Sequence, residues 1–224
     1  MPRPRMIASR GPGIGLDSRR ILDLAVGSAA LVISLPVLAV TVIAMRLAGD
    51  RGPFLYRARR MGFDGKPVVV LKIRTMHEGL HGPGLTSAGD FRVTRVGRLI
   101  RQYRIDELPQ LVNVVRGEMS LVGPRPEDPR YVDLSDPLHR KVFMVKPGIT
   151  GPAQIQFRHE GELLAASDDP ERLYRGVILP AKLRIDAAYL DRRTVGTDVL
   201  MIGQTVLALL PHPFARASKD RRIP

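Results

Sequence analysis

The sequence predicts a mostly helical α+β protein with one membrane-embedded segment near its N-terminus. Three observations carry this. Leu24 to Met45 is a run of 22 residues without a charge. Two runs rich in Val, Tyr, Phe and Ile flank Asp64-Gly65, a strong hairpin signal. Several downstream segments repeat apolar residues at helical spacing.

The chain has 224 residues, 25% charged and 44% apolar, enough to bury one substantial core. Its net charge of +13 calls for an anionic partner: nucleic acid, phospholipid head groups or a phosphorylated substrate. Trp is absent and aromatics are 5%, which argues against a base-stacking platform and so against nucleic acid. With no Cys, a disulfide framework and a thiolate metal site are both excluded.

Residues 1–18 read as a basic flexible leader. GPGIG at Gly11 to Gly15 lacks the Gly-Lys-Ser/Thr ending of a phosphate loop and no strand precedes it. The membrane helix is expected over 19–46. Its uncharged core is about 33 Å long as a straight helix, near the ~20 residues that span a bilayer and longer than a cleaved signal's apolar region. Arg19 and Arg20 precede the run, and Arg46, Arg51, Arg57, Arg59 and Arg60 follow it, so both ends carry the positive charge of a cytoplasmic flank. Pro36 removes one backbone donor near the middle, and Ser34 is in reach of a freed carbonyl. On these residues alone, a helix that returns to the side it entered and a kinked span are both compatible with the pattern.

Residues 47–210 read as the globular domain and 211–224 as a basic tail. In the hairpin, Lys72 and Arg74 share one face by period-two alternation, and Arg57 and Arg59 share a face of the first strand. Glu78 to Asp90 forms a Gly-rich loop able to close over a substrate. His77 and His81 stand four apart, but the surrounding glycines break the helix a zinc pair would need. From Phe91 to Tyr103, Val96, Leu99, Ile100 and Tyr103 form one stripe among Arg92, Arg95, Arg98 and Arg101. This basic amphipathic pattern suits the head-group plane and equally a core-packing helix. Leu108, Leu111, Val112 and Val115 then space a short helix expected to begin at Asp106. Gly123, Pro124 and Pro126 punctuate a loop that presents Arg125, a bidentate phosphate clamp. Lys146 to Gln154 reads as a turn. Arg172 to Leu190 reads as helix broken at Pro180, and Thr197 to Leu210 as a helix capped by Thr197, too short to span a membrane.

KIRTM, RIDELPQLVNVVRGEMSLVGPRP and KPGITGPAQ, in that order, resemble the bacterial sugar transferase family, the monotopic phosphoglycosyl transferases. The resemblance runs from Arg20 to about Asp198. It implies transfer of a sugar 1-phosphate from a UDP-sugar to a polyprenol (undecaprenyl) phosphate, with release of UMP through a covalent phosphosugar enzyme. In the family's motif the Asp of the Asp-Glu pair is the nucleophile, here Asp106, with Glu107 in support and Mg2+ bound by Asp106. A carboxylate is ionised at pH 7 and needs no activating base, and the neighbouring arginines are expected to keep it so. Arg60, Lys72, Arg74, Arg104 and Arg125 are the cations expected to bind substrate.

The resemblance also implies a re-entrant membrane helix broken at Ser34 and Pro36, amphipathic interfacial helices, the cytoplasmic face of a bacterial inner membrane, and downstream glycosyltransferases as further partners. Two positions depart from the family pattern. The serine lies one place early in Ser34-Leu35-Pro36, and Pro152 stands where Trp is usual. The competing expectations are a membrane-tethered binder of anionic ligands and a non-catalytic scaffold.

Overall fold

A computed structural model describes residues 17–80, 82 and 84–209. The leader, apart from Asp17 and Ser18, the tail over 211–224, and His81 lie outside the described residues.

The first helix, α1, is Ser18–Leu47, capped by the Asp17 side chain, and it runs as one helix through Pro36. Thirty residues of high mean hydropathy make it long and apolar enough to cross a membrane. The Ser34 hydroxyl donates to Leu31 O (2.7 Å), and Thr41 donates to Val37 O (2.7 Å). Both hydroxyls are therefore satisfied inside the helix, as a low-dielectric surrounding demands.

β1 (Leu55–Met61) and β2 (Pro67–Ile73) form the expected antiparallel hairpin, with Met61 opposite Pro67 and Tyr56 opposite Lys72. Asp64 and Gly65 both take positive φ (58° and 65°), the backbone that this residue pair permits at low cost. The register gives the inner face Ala58 and Arg60 from β1 and Val70 and Lys72 from β2, while Arg57 and Arg59 point outward. α2 (Arg95–Gln102) follows, its Thr94 cap accepting from Gly97 N at 2.8 Å.

The helix expected from Asp106 is split. Ile105–Glu107 forms a single 3-10 turn, and α3 (Gln110–Arg116) starts only after Pro109. Proline fits the entry to a helix because it lacks the N–H that a continued helix would use. α3 stops at Gly117, whose φ of 81° is the left-handed cap that glycine adopts without strain.

β3 (Ser120–Val122) lies in what reads as loop. After α4 (Pro137–Phe143) it pairs in parallel with β4 (Gly148–Thr150), which reads as turn. A Cβ added to Gly148 would lie 2.1 Å from Gly123 N, so the glycines of the two motifs permit this close approach. α5 (Pro152–Gln156), α6 (Glu160–Ala165) and α7 (Pro170–Leu173) lead into a π-helical turn, Tyr174–Ile178, and then α8 (Leu179–Arg192). The break expected at Pro180 thus takes the form of a π turn, with Pro180 in the first turn of α8. α9 (Val195–Leu209) begins two residues before the predicted start. Thr194 is its cap, exchanging hydrogen bonds with Thr197 (2.8 and 3.1 Å).

Three apolar clusters hold these elements, and α1 contributes to two. Its first half packs Val26, Ala30 and Leu31 with Leu111, Val114 and Met119 of the α3–β3 segment. Its second half packs Leu38 and Met45 with Ile73, Ile100 and Ile105. Met45 is buried and Val26, Ala30, Leu31 and Leu38 are partly so, and these apolar contacts hold both halves of α1 to the globular body. Polar contacts add direction. Arg20 donates to Val114 O (2.6 Å) and Val115 O (2.7 Å) at the end of α3, where unpaired carbonyls attract a cation. Buried Asp23 accepts from Ser120 Oγ (3.0 Å) and Leu121 N (2.8 Å).

Candidate active site

The turn Ile105–Glu107 lies between α2, α3, the hairpin and α1. Arg104 enters it at φ 56°, ψ 21°, a left-handed conformation that costs a non-glycine residue about 1–3 kcal/mol. The reversal lets both following carboxylates face the inner side of the hairpin. Behind them Asn113 of α3, one turn after the likewise buried amide Gln110, is almost fully buried. It accepts from Leu71 N (3.0 Å) and donates to Val69 O (2.8 Å), docking α3 onto β2. Sequence reasoning passed over Asn113, although an amide among Leu and Val is the available signal.

Glu107 is held by three cations: Arg125 Nη2 (3.0 Å), Lys72 Nζ (3.3 Å) and Arg104 Nη1 (3.5 Å). Burial alone would raise its carboxyl, but Arg125, then Lys72 and Arg104, outweigh burial and hold Glu107 far below the usual carboxylate range. Glu107 in turn keeps the Arg125 guanidinium firmly charged. Lys72 falls below the ordinary lysine range because its own burial outweighs the attraction of Glu107.

Asp106 differs. It is 9% exposed and makes no hydrogen bond or ion pair among the described residues. The fully buried side-chain polar atoms without a partner there are Arg19 Nε and Gln154 Oε1, so the Asp106 oxygens still reach the surface. Burial, followed by the charge of Glu107, raises its carboxyl above 3.8, and the cations Lys72, Arg101 and Arg125 only partly offset this. This corrects the expectation that arginines dominate: desolvation and a like charge win. The Asp106 carboxylate is thus unpaired among the described residues while cations surround its neighbour Glu107.

The structure brings Lys72, Arg104 and Arg125 together around Glu107. Arg101 joins them electrostatically while its Nε donates to Thr75 Oγ1 (2.7 Å). Arg60 sits within electrostatic reach of Lys72 but pairs with Asp128 (2.9 Å), which Arg130 and Arg60 hold down at about 2. Arg74 is turned elsewhere. It pairs with Asp50 and donates to Pro53 O (2.8 Å) and Met76 O (3.2 Å), bracing the linker after α1. Ser34 and Pro36 lie in α1, where Pro36, Val37, Val40 and Thr41 form with Ile105 a shallow, open apolar depression. The Gly-rich loop is tied down where it is described, by Ala88 N to Gly161 O (2.8 Å) and by Arg92 bound to Asp90 and to Leu85 O (3.2 Å). Among the described residues no group of three or more His, Cys, Asp or Glu could hold a metal alone.

Asp186 of α8 accepts from Ala153 N (3.3 Å) at the start of α5, and burial pushes it up to about 7. A raised carboxyl favours the protonated fold. Stability should therefore fall as pH rises from about 4 to 7, by up to about 1.4 kcal/mol per pH unit, and level off above. Asp186→Asn, which keeps the acceptor, should flatten this part of the curve of melting temperature against pH. An unchanged slope would contradict the assignment.

A family model described as bacterial sugar transferase matches residues 16–212. The chain is 36% identical over 205 residues to the UDP-glucose:undecaprenyl-phosphate glucose-1-phosphate transferase of Caulobacter vibrioides, covering 89% of this chain and 72% of that one. It is 34% identical over 203 residues to the UDP-N-acetylgalactosamine-undecaprenyl-phosphate N-acetylgalactosaminephosphotransferase of Aeromonas hydrophila (88% and 45% covered). It is 39% identical over 197 residues to the undecaprenyl-phosphate glucose phosphotransferase of Komagataeibacter xylinus (84% and 35% covered). The chain thus spans less than half the length of the last two relatives.

Proposed function

The chain belongs to the bacterial sugar transferase family, and from that premise we propose that it moves a sugar 1-phosphate from a UDP-sugar to undecaprenyl phosphate in two steps at Asp106. In the first, an Asp106 oxygen attacks the β-phosphorus, the bond from that phosphorus to the bridging oxygen breaks, and UMP leaves. In the second, a phosphate oxygen of the polyprenol attacks the same phosphorus, the bond to Asp106 breaks, and the polyprenol-diphosphate sugar is released.

The observation that carries this reading is the contrast between the two adjacent carboxylates. Glu107 is committed to Lys72, Arg104 and Arg125, while Asp106 has no partner among the described residues. Arg125, Lys72 and Arg104 bind the donor's diphosphate and offset the charge that grows on the leaving UMP. Asp106 fits Mg2+ as one carboxylate of a site that the donor's phosphates complete, the usual habit of this ion. When bound, Mg2+ supplies further neutralisation of the diphosphate.

The acceptor arrives from the lipid, and three features fit that route. Val32, Ile33, Leu35 and Val40 of α1 are exposed, as are Val199, Leu200, Val206 and Leu207 of α9. Contact of both halves of α1 with one body supports a helix whose two ends stay on the same, cytoplasmic, side. The open apolar depression between α1 and Ile105, next to Asp106 in sequence, offers the first isoprenoid units an apolar surface.

The test is UMP release from a panel of UDP-sugars with undecaprenyl phosphate and Mg2+. Acceptor-dependent UMP from at least one donor is expected. Salt-sensitive binding to anionic vesicles with no UMP from any donor would favour the tethered-binder reading instead.

A further inference from the structure

A second charged cluster lies behind the site, and the two-step reaction does not use it. Lys182 of α8 is buried, with a side chain 6% exposed. Its ammonium reaches Glu127 Oε1 (3.1 Å), Glu160 Oε2 (3.0 Å) and Tyr174 Oη (3.2 Å), which uses all three of its donors. The π turn Tyr174–Ile178 carries Tyr174 into this contact, and its ring also lies 5.1 Å from the ammonium. π turns inside helices recur at functional positions.

The cluster is joined to the site through Arg125. Glu127 is two residues from Arg125, and the segment between is clamped at both ends. Gly148 N donates to Pro124 O (2.8 Å), and Met61 N donates to Glu127 O (2.8 Å). Arg125 contacts Glu107 (3.0 Å) and also lies within electrostatic reach of the Glu127 and Glu160 carboxylates, and all three stabilise its charge. Burial would raise Glu127, but Lys182, then the Tyr174 hydroxyl and Arg125, hold it ionised. A partly exposed guanidinium with carboxylates on more than one side is drawn to whichever is less well neutralised.

We propose that Lys182 is a positioning residue for donor binding: by neutralising Glu127 and Glu160 from behind, it leaves Arg125 directed at Glu107 and at the donor's diphosphate. Without that ammonium, Arg125 is drawn back onto Glu127 and the diphosphate loses its bidentate partner. The inference rests on the reading of the site as a UDP-sugar site.

Steady-state kinetics with the UDP-sugar that wild type turns over, in the full-length protein, test it. Lys182→Met should raise the donor KM about tenfold or more. kcat should change by less than about threefold, and the KM for polyprenol phosphate should not move. Lys182→Arg should recover most of the donor affinity. The decisive variant is the double Lys182→Met/Glu127→Gln, which also removes the stronger of the two competing anions. It should return the donor KM to within about threefold of wild type, a rescue that simple loss of packing would not produce. If Lys182→Met does not fold, Lys182→Gln, which keeps hydrogen bonds but not the charge, is read in its place. A donor KM within twofold of wild type in the single variant, or a double variant no better than the single, overturns the proposal. Absence of UMP release in wild type would instead remove the functional reading beneath it.

Discussion

Asp106→Asn should reduce turnover about a thousandfold or more and remove any covalent sugar-phosphate from the protein. The amide matches the carboxylate in shape but is a poor nucleophile toward phosphorus, so the loss falls on the chemical step. A thousandfold corresponds to about 4 kcal/mol of transition-state stabilisation. The effect on the fold should have the opposite sign. Burial and Glu107 raise the Asp106 carboxyl, so its ionised form costs the native state stability near neutral pH. Asparagine ends that cost, and the variant should melt at the wild-type temperature or above it. A dead variant with an undiminished melting temperature is the signature of a nucleophile whose placement is held against its own solvation. Near-normal turnover in Asp106→Asn would contradict the mechanism.

Glu107→Gln should lower kcat/KM for the donor by about one to three orders of magnitude and change the pH profile in a defined direction. Three cations converge on this carboxylate, and a neutral amide leaves them repelling one another. Removing one member of a buried pair costs about 3–5 kcal/mol. Because Arg104 and Arg125 are about one-third exposed, solvent screening brings the expected loss to about 2–3 kcal/mol. Glu107 is held below its unfolded pKa, so its contribution to stability is present above about pH 4 and fades as pH falls below that. The stability deficit of the variant should shrink in acid accordingly. The rate should show a second effect. Loss of the adjacent negative charge lets the Asp106 carboxyl ionise more easily, so the acid limb of the donor half-reaction should move to lower pH. An acid limb that moves up, or a variant as active and stable as wild type, would contradict the role given to Glu107.

Elements with local signals were legible in the sequence. Uncharged length marks α1, Asp64-Gly65 marks the hairpin, and the stripe of Val96, Leu99 and Ile100 marks α2, although the pattern begins at Phe91 and the helix only at Arg95, after its Thr94 cap. What escaped depends on distant partners or on single backbone choices. β3 and β4 are three residues each and become strands only by pairing with one another across α4. The apolar spacing around Asp106 is helical, yet the left-handed Arg104 and the ring of Pro109 split the segment into a turn and a helix. In the site, alternation put Lys72 and Arg74 on one strand face without saying that the face turns inward, where Lys72 meets Glu107. It could not say that Arg74, just past the strand, is engaged by Asp50, or that Arg60 pairs with Asp128. Charge counting suggested an Asp106 held ionised by arginines, whereas burial, which composition does not report, reverses the direction. Lys182 and Glu127 were invisible for the same reason, being 55 residues apart in the chain.

The most direct test is the intact mass of the protein after incubation with a UDP-sugar and Mg2+ in the absence of polyprenol phosphate. The mechanism requires wild type to gain the mass of one sugar phosphate, located on the peptide containing Asp106, with UMP released in equal amount and the adduct discharged when polyprenol phosphate is added. Polyprenol-diphosphate sugar formed at the normal rate, with no adduct at any time of quenching or with the adduct on another residue, would contradict it.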